Sequence, residues 1–262
     1  MPEIGTLGHF WLRYDTTPIT LPSMHGKILT ALHCERGAVH QDMLIDMVWE
    51  DQKQVAPATF RTHISRMRKR IKGAGFDPET LFTGISVTGD RNAYQIGEHV
   101  QSDGDRALAL GTAGAEALAR GNVDQAVNLL RQAADRWKPV TRRAQILAGV
   151  ADLTFAIPFI NELWEARKDA LTKLAAVELR IGLDSKPAAD LGRLAADWPE
   201  DREIARLQVI ALHSNGQTAA AAEICIRQAA ACRNMGVDPK PFLDLHQAIL
   251  SSTVEVRGLI PA

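Results

Sequence analysis

The chain has 262 residues, of which 46% are apolar and 23% are charged, and its formal net charge is −1. This composition is typical of a globular protein with one large core or two smaller ones, and it excludes a disordered or strongly basic chain. The first 97 residues contain 11 Lys and Arg against 10 Asp and Glu. A nucleic-acid-binding role would therefore depend on local clustering of positive charge.

Cysteine usage and hydropathy indicate the cellular compartment. The three cysteines, Cys34, Cys225 and Cys232, are too few and too irregularly spaced for a disulfide framework or a zinc site. No secretory signal peptide begins the chain, and no apolar segment approaches the ~20 residues that span a bilayer. We expect a cytoplasmic protein that does not bind membranes.

The N-terminal segment begins with short extended stretches between Ile4 and Leu21, which predict two or more small antiparallel strands. A helix is predicted over about Met24–Arg36, and Gly37 is placed to end it. A second, shorter helix is predicted over about Gln41–Trp49. His40 stands where Ser, Thr, Asp or Asn usually caps a helix, so we expect the start of this helix to be less well fixed.

A third helix is predicted over Pro57–Lys72, and its pattern is the most informative in the chain. Four apolar residues recur at helical period and form one narrow stripe: Phe60, Ile64, Met67 and Ile71. The other positions are rich in Arg and Lys, and the stretch has no acidic residue. A solvated surface helix is the common explanation of such a charge run. Whether this helix binds a partner must therefore be judged from the elements that surround it.

Breaking residues follow this helix, and then a hairpin is predicted with arms Leu81–Val87 and Ala93–Ile96 and a tip at residues 89–92. Strands, three helices and a hairpin, in that order, are what a winged helix-turn-helix requires. In that fold the hairpin is the wing. The third helix packs through its apolar stripe and leaves its opposite face free to enter a major groove of double-stranded DNA.

A helical wheel assigns candidate roles to the residues away from the stripe. The predicted base-reading residues are Thr59, Thr62 and Arg66. Arg pairs with guanine, and Thr can donate or accept a hydrogen bond or touch a thymine methyl group. The predicted phosphate or groove contacts are Arg61, Ser65, Arg68, Lys69, Arg70 and Lys72. Two roles are open for Arg91 in the wing. One is a contact to the minor groove or its phosphates, and the other is that of an exposed hairpin residue held by Asp90. The sequence favours neither role over the other.

Past Gly104 the composition changes to alanine-rich helical periodicity. Seven helices are predicted, over about Asp105–Arg120, Val123–Trp137, Pro158–Ile181, Pro187–Asp197, Arg202–Ser214, Thr218–Met235 and Pro239–Ser251. Turns are predicted at Gly121, Gly182 and Gly216, and the last two are 34 residues apart, the period of a tetratricopeptide unit. About 27 extra residues, roughly Val140–Ala166, interrupt the first interval.

The sequence therefore predicts a mostly α fold with a small β component, in which a winged helix-turn-helix domain precedes an α-helical, tetratricopeptide-like domain. Such helical units bind proteins on a concave face, although an α-rich bundle without repeats is an alternative. The chain has no nucleotide-binding, zinc-protease or redox motif. We therefore expect no enzyme activity, no cofactor and no metal.

Both halves resemble known bacterial modules. The stretch Ala56–Ile71 and the wing ending Ala93–Ile96 resemble the OmpR-type winged helix. Residues Ala211–Leu250, particularly the Gly236–Pro239 turn and the leucines after it, resemble the bacterial transcriptional activation domain. This arrangement is similar to that of the Streptomyces antibiotic regulatory protein family.

The resemblance implies a DNA-binding domain at residues 1–98, an activation domain at 99–252 and a C-terminal tail at 253–262. It further implies an activator, often of secondary-metabolite genes, that self-associates on direct repeats about one helical turn apart and contacts RNA polymerase, including its sigma factor. The residues alone leave two alternatives open. One is a tetratricopeptide-like interaction scaffold without specific DNA binding, and the other is a repressor that uses the same helix.

Overall fold

The computed structural model describes residues 1–50, 55–87, 90–183 and 185–251. It confirms the predicted fold class, because helices dominate and the strands are few and short. None of the helices described there is long and apolar enough to cross a membrane. Gly89 of the predicted wing tip and the predicted tail at 253–262 lie outside the described residues.

Three strands open the chain, and their pairing confirms the predicted antiparallel arrangement. They are β1 (Pro2–Ile4), β2 (Leu12–Tyr14) and β3 (Thr17–Ile19). β2 pairs antiparallel with both β1 and β3. A later strand, β7 (Gln101–Ser102), extends this sheet by pairing parallel with β1.

Three helices follow, as predicted: α1 (Ser23–Glu35), α2 (Gln41–Val48) and α3 (Pro57–Gly73). The prediction that Gly37 ends α1 was wrong. Arg36 itself adopts a left-handed φ of 52° and donates its N–H to the carbonyl of His33, so the helix ends one residue earlier. Before α2, the Nδ1 atom of His40 accepts the N–H of Asp42 at 3.4 Å and thereby caps the helix.

The predicted hairpin is present as β5 (Phe82–Val87) and β6 (Asp90–Ile96), joined to a short strand β4 (Val39–His40) in the order β4-β6-β5. The second arm is longer than predicted. Residues 90–92, which the sequence assigned to the tip, belong to the strand.

Seven α-helices occupy most of the described chain after β7 and agree closely with the predicted bounds; the stretch between the second and third of them contains a short 3-10 helix at Arg143–Gln145. The seven are α4 (Asp103–Ala119), α5 (Val123–Trp137), α6 (Ala156–Arg180), α7 (Ser185–Asp197), α8 (Arg202–Ser214), α9 (Thr218–Asn234) and α10 (Lys240–Ser251). The predicted turns are confirmed, since Gly121, Gly182 and Gly216 have φ values of 75°, 82° and 77°. A side chain at such a φ would be strained.

The chain forms two compact units. The N-terminal unit comprises Met1–Ala109 with Asp135–Arg167, and the C-terminal unit comprises Leu110–Ala134 with the described residues from Lys168 onward. The core of the N-terminal unit lies among α1, α2, α3 and the hairpin. A large core of the C-terminal unit is built from α7, α8, α9 and α10 with the end of α6.

Candidate nucleic-acid interface

Helix α3 is held in the N-terminal unit by the apolar stripe that the sequence predicted. Phe60, Met67 and Ile71 are fully buried and Ile64 is 4% exposed. The Phe60 ring lies edge-on to Tyr94 of the hairpin at 5.4 Å and to Trp49 at 6.3 Å. The stripe therefore fixes the rotation of α3 about its axis, which decides which residues face solvent.

Local backbone contacts fix both ends of α3. Pro57 occupies the first turn, where a missing N–H costs nothing, and the N–H of Thr59 donates to the carbonyl of Ala56 at 2.8 Å. At the other end Gly75 adopts a φ of 88°, and the N–H of Phe76 donates to the carbonyl of Ile71 at 3.2 Å. The helix thus has a defined length.

The three predicted base-reading residues, Thr59, Thr62 and Arg66, are all exposed on α3. The Thr62 hydroxyl donates to the carbonyl of Ala58 at 2.9 Å. Its oxygen and methyl group stay available, so Thr62 presents an acceptor and an apolar contact to a partner. The structure thus exposes these side chains, and their contacts to bases stay a prediction.

Most of the predicted phosphate contacts are also exposed on α3, namely Arg61, Ser65, Lys69, Arg70 and Lys72. Among the described residues, no carboxylate lies within ion-pair distance of these four cations or of Arg66. An unpaired cationic face of this kind attracts phosphates, because binding releases the counterions that surround DNA.

Arg68 differs from its neighbours. Its side chain is only 28% exposed, its Nη2 lies 3.0 Å from Oε1 of Glu79, and its guanidinium lies over the Phe82 ring at 5.3 Å. Arg68 therefore connects α3 to the hairpin. The backbone of Arg91 lies in β6, whereas its side chain is outside what the structure describes.

Two histidines support the inner edge of α3. His63 of α3 meets His25 of α1 edge-on at 5.5 Å and lies 5.6 Å from the Trp49 ring. Burial lowers the pKa of His63, and the charge of Arg66 lowers it further. The pKa of His25 is lowered by burial first and then by His63, Arg70 and Arg66. Both imidazoles therefore favour the neutral form.

Sequence reasoning missed the contacts that brace the N-terminal sheet. The Oδ1 atom of Asp103 accepts the N–H groups of Thr6 at 2.6 Å and Leu7 at 3.1 Å, and also the Thr6 hydroxyl at 2.9 Å. The N–H groups of Leu147 and Ala148 donate to the carbonyls of Thr6 and Gly8. These partners are about 100 residues or more apart, so no local pattern could have indicated them.

A further unforeseen contact lies beside the helix-turn-helix. The Glu50 carboxylate, just after α2, accepts the N–H of Thr154 at 3.1 Å and also its hydroxyl. These hydrogen bonds lower the pKa of Glu50. The inserted segment, which the sequence showed only as an interruption of a repeat, thus contacts the end of α2.

Comparison with known proteins agrees with this architecture. Residues 102–250 match the family model of the bacterial transcriptional activator domain, and residues 16–86 match that of the transcriptional regulatory protein C-terminal domain. The transcriptional regulatory protein EmbR of Mycobacterium tuberculosis is 28% identical over 250 residues, which are 92% of this chain and 61% of EmbR. The regulatory protein AfsR of Streptomyces coelicolor is 28% identical over 265 residues, which are 99% of this chain and 25% of AfsR.

A solved structure of EmbR of Mycobacterium tuberculosis, in complex with a low-affinity phosphopeptide, superposes with a TM-score of 0.79 at 25% identity. The match covers 99% of this chain and 68% of that one. The chain thus spans about three-fifths of EmbR and a quarter of AfsR by sequence. With the activator-domain match covering more than half of its residues, the chain belongs to the Streptomyces antibiotic regulatory protein family of transcriptional regulators, in which an OmpR-type winged helix precedes a bacterial transcriptional activator domain.

Proposed function

We propose that this regulator is a sequence-specific activator that binds direct repeats beside a promoter and recruits RNA polymerase, including its sigma factor. The observation that carries the proposal is the division of α3 into a buried stripe and an exposed cationic face, on which Arg61, Arg66, Lys69, Arg70 and Lys72 have no carboxylate partner among the described residues. A helix of that kind fits the major groove, which is wide enough for one helix and displays a distinct pattern for each base pair.

We assign base reading to Thr59, Thr62 and Arg66, which are exposed at i, i+3 and i+7. Arg66 would pair with O6 and N7 of a guanine. The Thr62 hydroxyl proton is committed to Ala58, so we expect Thr62 to meet a thymine methyl or a donor group rather than an acceptor. This order predicts that a recovered half-site contains a guanine near a thymine.

We assign phosphate contacts to the remaining cationic and polar positions: Arg61, Ser65, Lys69, Arg70 and Lys72 on α3, together with Arg91 in the wing. Arg68 belongs to the proposed set through the N–H groups that its ion pair with Glu79 leaves over. Such contacts set position and affinity but carry little sequence information.

We further propose that residues 1–98 supply DNA recognition and residues 99–252 supply the contacts to polymerase. The two family-model matches support this division, and the family resemblance supports a secondary-metabolite gene cluster as the target. Tetratricopeptide-like helices suit the second role, because stacked helical pairs offer extended protein-binding surfaces.

Selection of bound duplexes from a random pool by the full chain tests the DNA part of the proposal. We expect a direct repeat with a spacing of about 10–11 base pairs, one helical turn. The double variant Arg66→Ala with Lys69→Ala should fail to enrich it. The matched control removes two exposed cations from α9, Arg227→Ala with Arg233→Ala, and should enrich the repeat as wild type does.

Transcription in vitro from a promoter carrying the selected repeat tests the activation part. We expect added protein to increase transcript from polymerase that contains the sigma factor. Reduced transcript at saturating protein would identify a repressor. Absence of any enriched sequence, with binding that disappears at modest salt for every duplex, would favour the scaffold alternative.

A further inference from the structure

A groove of about 580 Å³ lies in the N-terminal unit at the end of α3, beside the base of the hairpin. Aromatic and apolar side chains form its floor. The rings of Tyr14 and Phe76 stack at 4.3 Å, and half-buried Ile96 lies beside them. Tyr14 is fixed by its hydroxyl, which lies 3.2 Å from the hydroxyl of Thr80. The groove is therefore a preformed feature.

Three carboxylates surround this floor, and they differ in what they already bind. Asp77 accepts the N–H of Glu79 at 3.0 Å, and Glu79 pairs with Arg68. Glu98 is exposed and has no partner among the described residues. The Met1 ammonium also lines the groove, but it is paired with Asp15, so Asp77 and Glu98 leave negative charge beside the floor. The groove suits an apolar side chain flanked by cations.

The same unit carries a patch with the complementary chemistry. Ile157 on α6 is 41% exposed and is one of several large apolar side chains that the described part of the chain leaves exposed. One turn further along, Asn161 accepts the Nε–H of Arg143 at 3.1 Å and so holds that cation beside the apolar side chain. Arg142 is exposed next to it. We call Ile157, Arg142 and Arg143 the basic–apolar patch.

We propose that the acid-rimmed groove of one protomer receives the basic–apolar patch of a second copy of this chain on the neighbouring half-site. Ile157 would cover the Tyr14–Phe76 stack, and Arg142 and Arg143 would meet Glu98. The inference rests on the proposed binding to direct repeats. Groove and patch are different surfaces, so the contact is head-to-tail, as successive copies on a direct repeat require.

Cross-linking between cysteine variants of the full chain tests the contact directly. Glu98→Cys places a thiol on the groove, and Arg142→Cys places one on the patch. The native thiols should react slowly, because burial raises the pKa of Cys34 to about 12 and that of Cys225 to about 11, and Cys232 is buried. With a short bis-maleimide on a two-half-site duplex, we expect covalent dimers from the mixture of variants and none from either alone.

Binding cooperativity provides the second readout, as the ratio of affinity for a two-half-site duplex to that for one half-site. We expect Glu98→Arg or Arg142→Glu to lower this ratio about tenfold, within the usual range of coupling between sites. Their combination should restore it. Glu223→Arg makes the same change of charge at an exposed position of α9 and should leave the ratio unchanged.

The outcomes separate the inference from the proposed function. If two copies occupy the repeat but the mixed variants do not cross-link and the ratio is unchanged, the inference is wrong and the proposed function stands. Cross-linking of Glu98→Cys alone would indicate a two-fold contact and would also overturn it. If Glu98→Arg abolishes only transcription, the groove serves polymerase instead. If no sequence is selected, the proposed function fails, and cross-linking in concentrated protein without DNA decides whether groove and patch meet.

Discussion

Helices α3 and α9 are both 17 residues long, yet the fold uses them differently. α3 buries four residues along one edge and exposes nearly all the others. α9 lies between α8 and α10 and buries six residues, including Ala221, Cys225 and Ala229, whose small size lets the neighbouring helices approach. Packing therefore accounts for most of α9, whereas it leaves the outer face of α3 without a structural role.

The charges of the two helices reinforce this difference. α3 carries six Lys and Arg and no acidic residue, so like charges one turn apart on its outer face, such as Arg66 and Arg70, repel each other. α9 carries two Arg and one Glu, which is ordinary for a surface helix. A face that costs stability and is nevertheless present is best explained by a ligand of opposite charge.

The largest expected effect comes from removing the inner edge of α3. Phe60→Ala deletes a fully buried ring between Trp49 and Tyr94 and should lower the free energy of unfolding by about 3–5 kcal/mol. Denaturant unfolding followed by circular dichroism measures this loss. Ile226→Ala, at a 59% exposed position of α9, should change the free energy of unfolding by less than about 0.5 kcal/mol. Equal effects of the two substitutions would contradict the assigned core.

The next largest expected effect comes from adding side-chain volume to the buried face of α9. Ala229 is 1% exposed and contacts a cluster with Ala205, Cys232 and Phe242. Ala229→Leu should therefore cost about 1–3 kcal/mol of unfolding free energy, because the added methyl groups have no space. Ala230→Leu, at the next and exposed position, is the control. DNA affinity at one half-site should survive Ala229→Leu, since α3 belongs to the other unit; its loss would mean that recognition depends on the C-terminal unit.

Changes on the outer face of α3 should separate affinity from stability. Arg66→Ala should lose about 1–3 kcal/mol of discrimination at one base pair, while Lys69→Ala should weaken all sequences alike and reduce the salt slope by about 1. Both should leave the free energy of unfolding within about 0.5 kcal/mol of wild type, because both side chains are exposed. Fluorescence anisotropy with matched and mismatched duplexes at several salt concentrations distinguishes them. If Arg66→Ala instead weakened binding to all duplexes equally, Arg66 would not be a base-reading residue.

The same comparison explains which parts of the structure could be predicted. The stripe of α3 and the turns at Gly182 and Gly216 are local patterns, and the structure confirms both. Cys225 and Cys232 are seven residues apart and therefore lie on one face of α9, and both are buried. Hydrophobic periodicity predicts burial correctly where an element packs against the rest of the protein through a single face.

The features that could not be predicted from the sequence depend on contacts with other elements of the fold. The charge of Arg68 suggested a phosphate contact, but its position depends on Glu79 and Phe82 in elements that pack on α3 only after folding. The sequence showed roughly Val140–Ala166 only as an interruption of a repeat, and this stretch lies within Asp135–Arg167, which belongs to the N-terminal unit. The α1 terminus was misassigned because Arg36 takes the left-handed conformation that glycine usually supplies.

The smallest expected effect is a pH dependence that arises at the inner edge of α3. His25 is 4% exposed, and burial, followed by the charges of His63, Arg70 and Arg66, lowers its pKa below the ordinary 6.5. Between that lowered pKa and 6.5 the unfolded chain binds more protons than the folded one, so stability falls as pH decreases. The contribution is fully present above pH 6.5.

We therefore expect the free energy of unfolding of wild type to decrease from pH 7.5 to 5.5, and to decrease less in His25→Phe, which keeps an aromatic ring edge-on to His63. Carboxylates with ordinary pKa values stay ionised over this range and contribute little to the slope. His99→Phe, at an exposed position, is the control for replacing a histidine with phenylalanine. Equal slopes in all three proteins would show that protonation does not change the stability of the α1–α3 contact. A reduced slope in His25→Phe alone would instead place the pH dependence at the buried edge that orients the DNA-binding face.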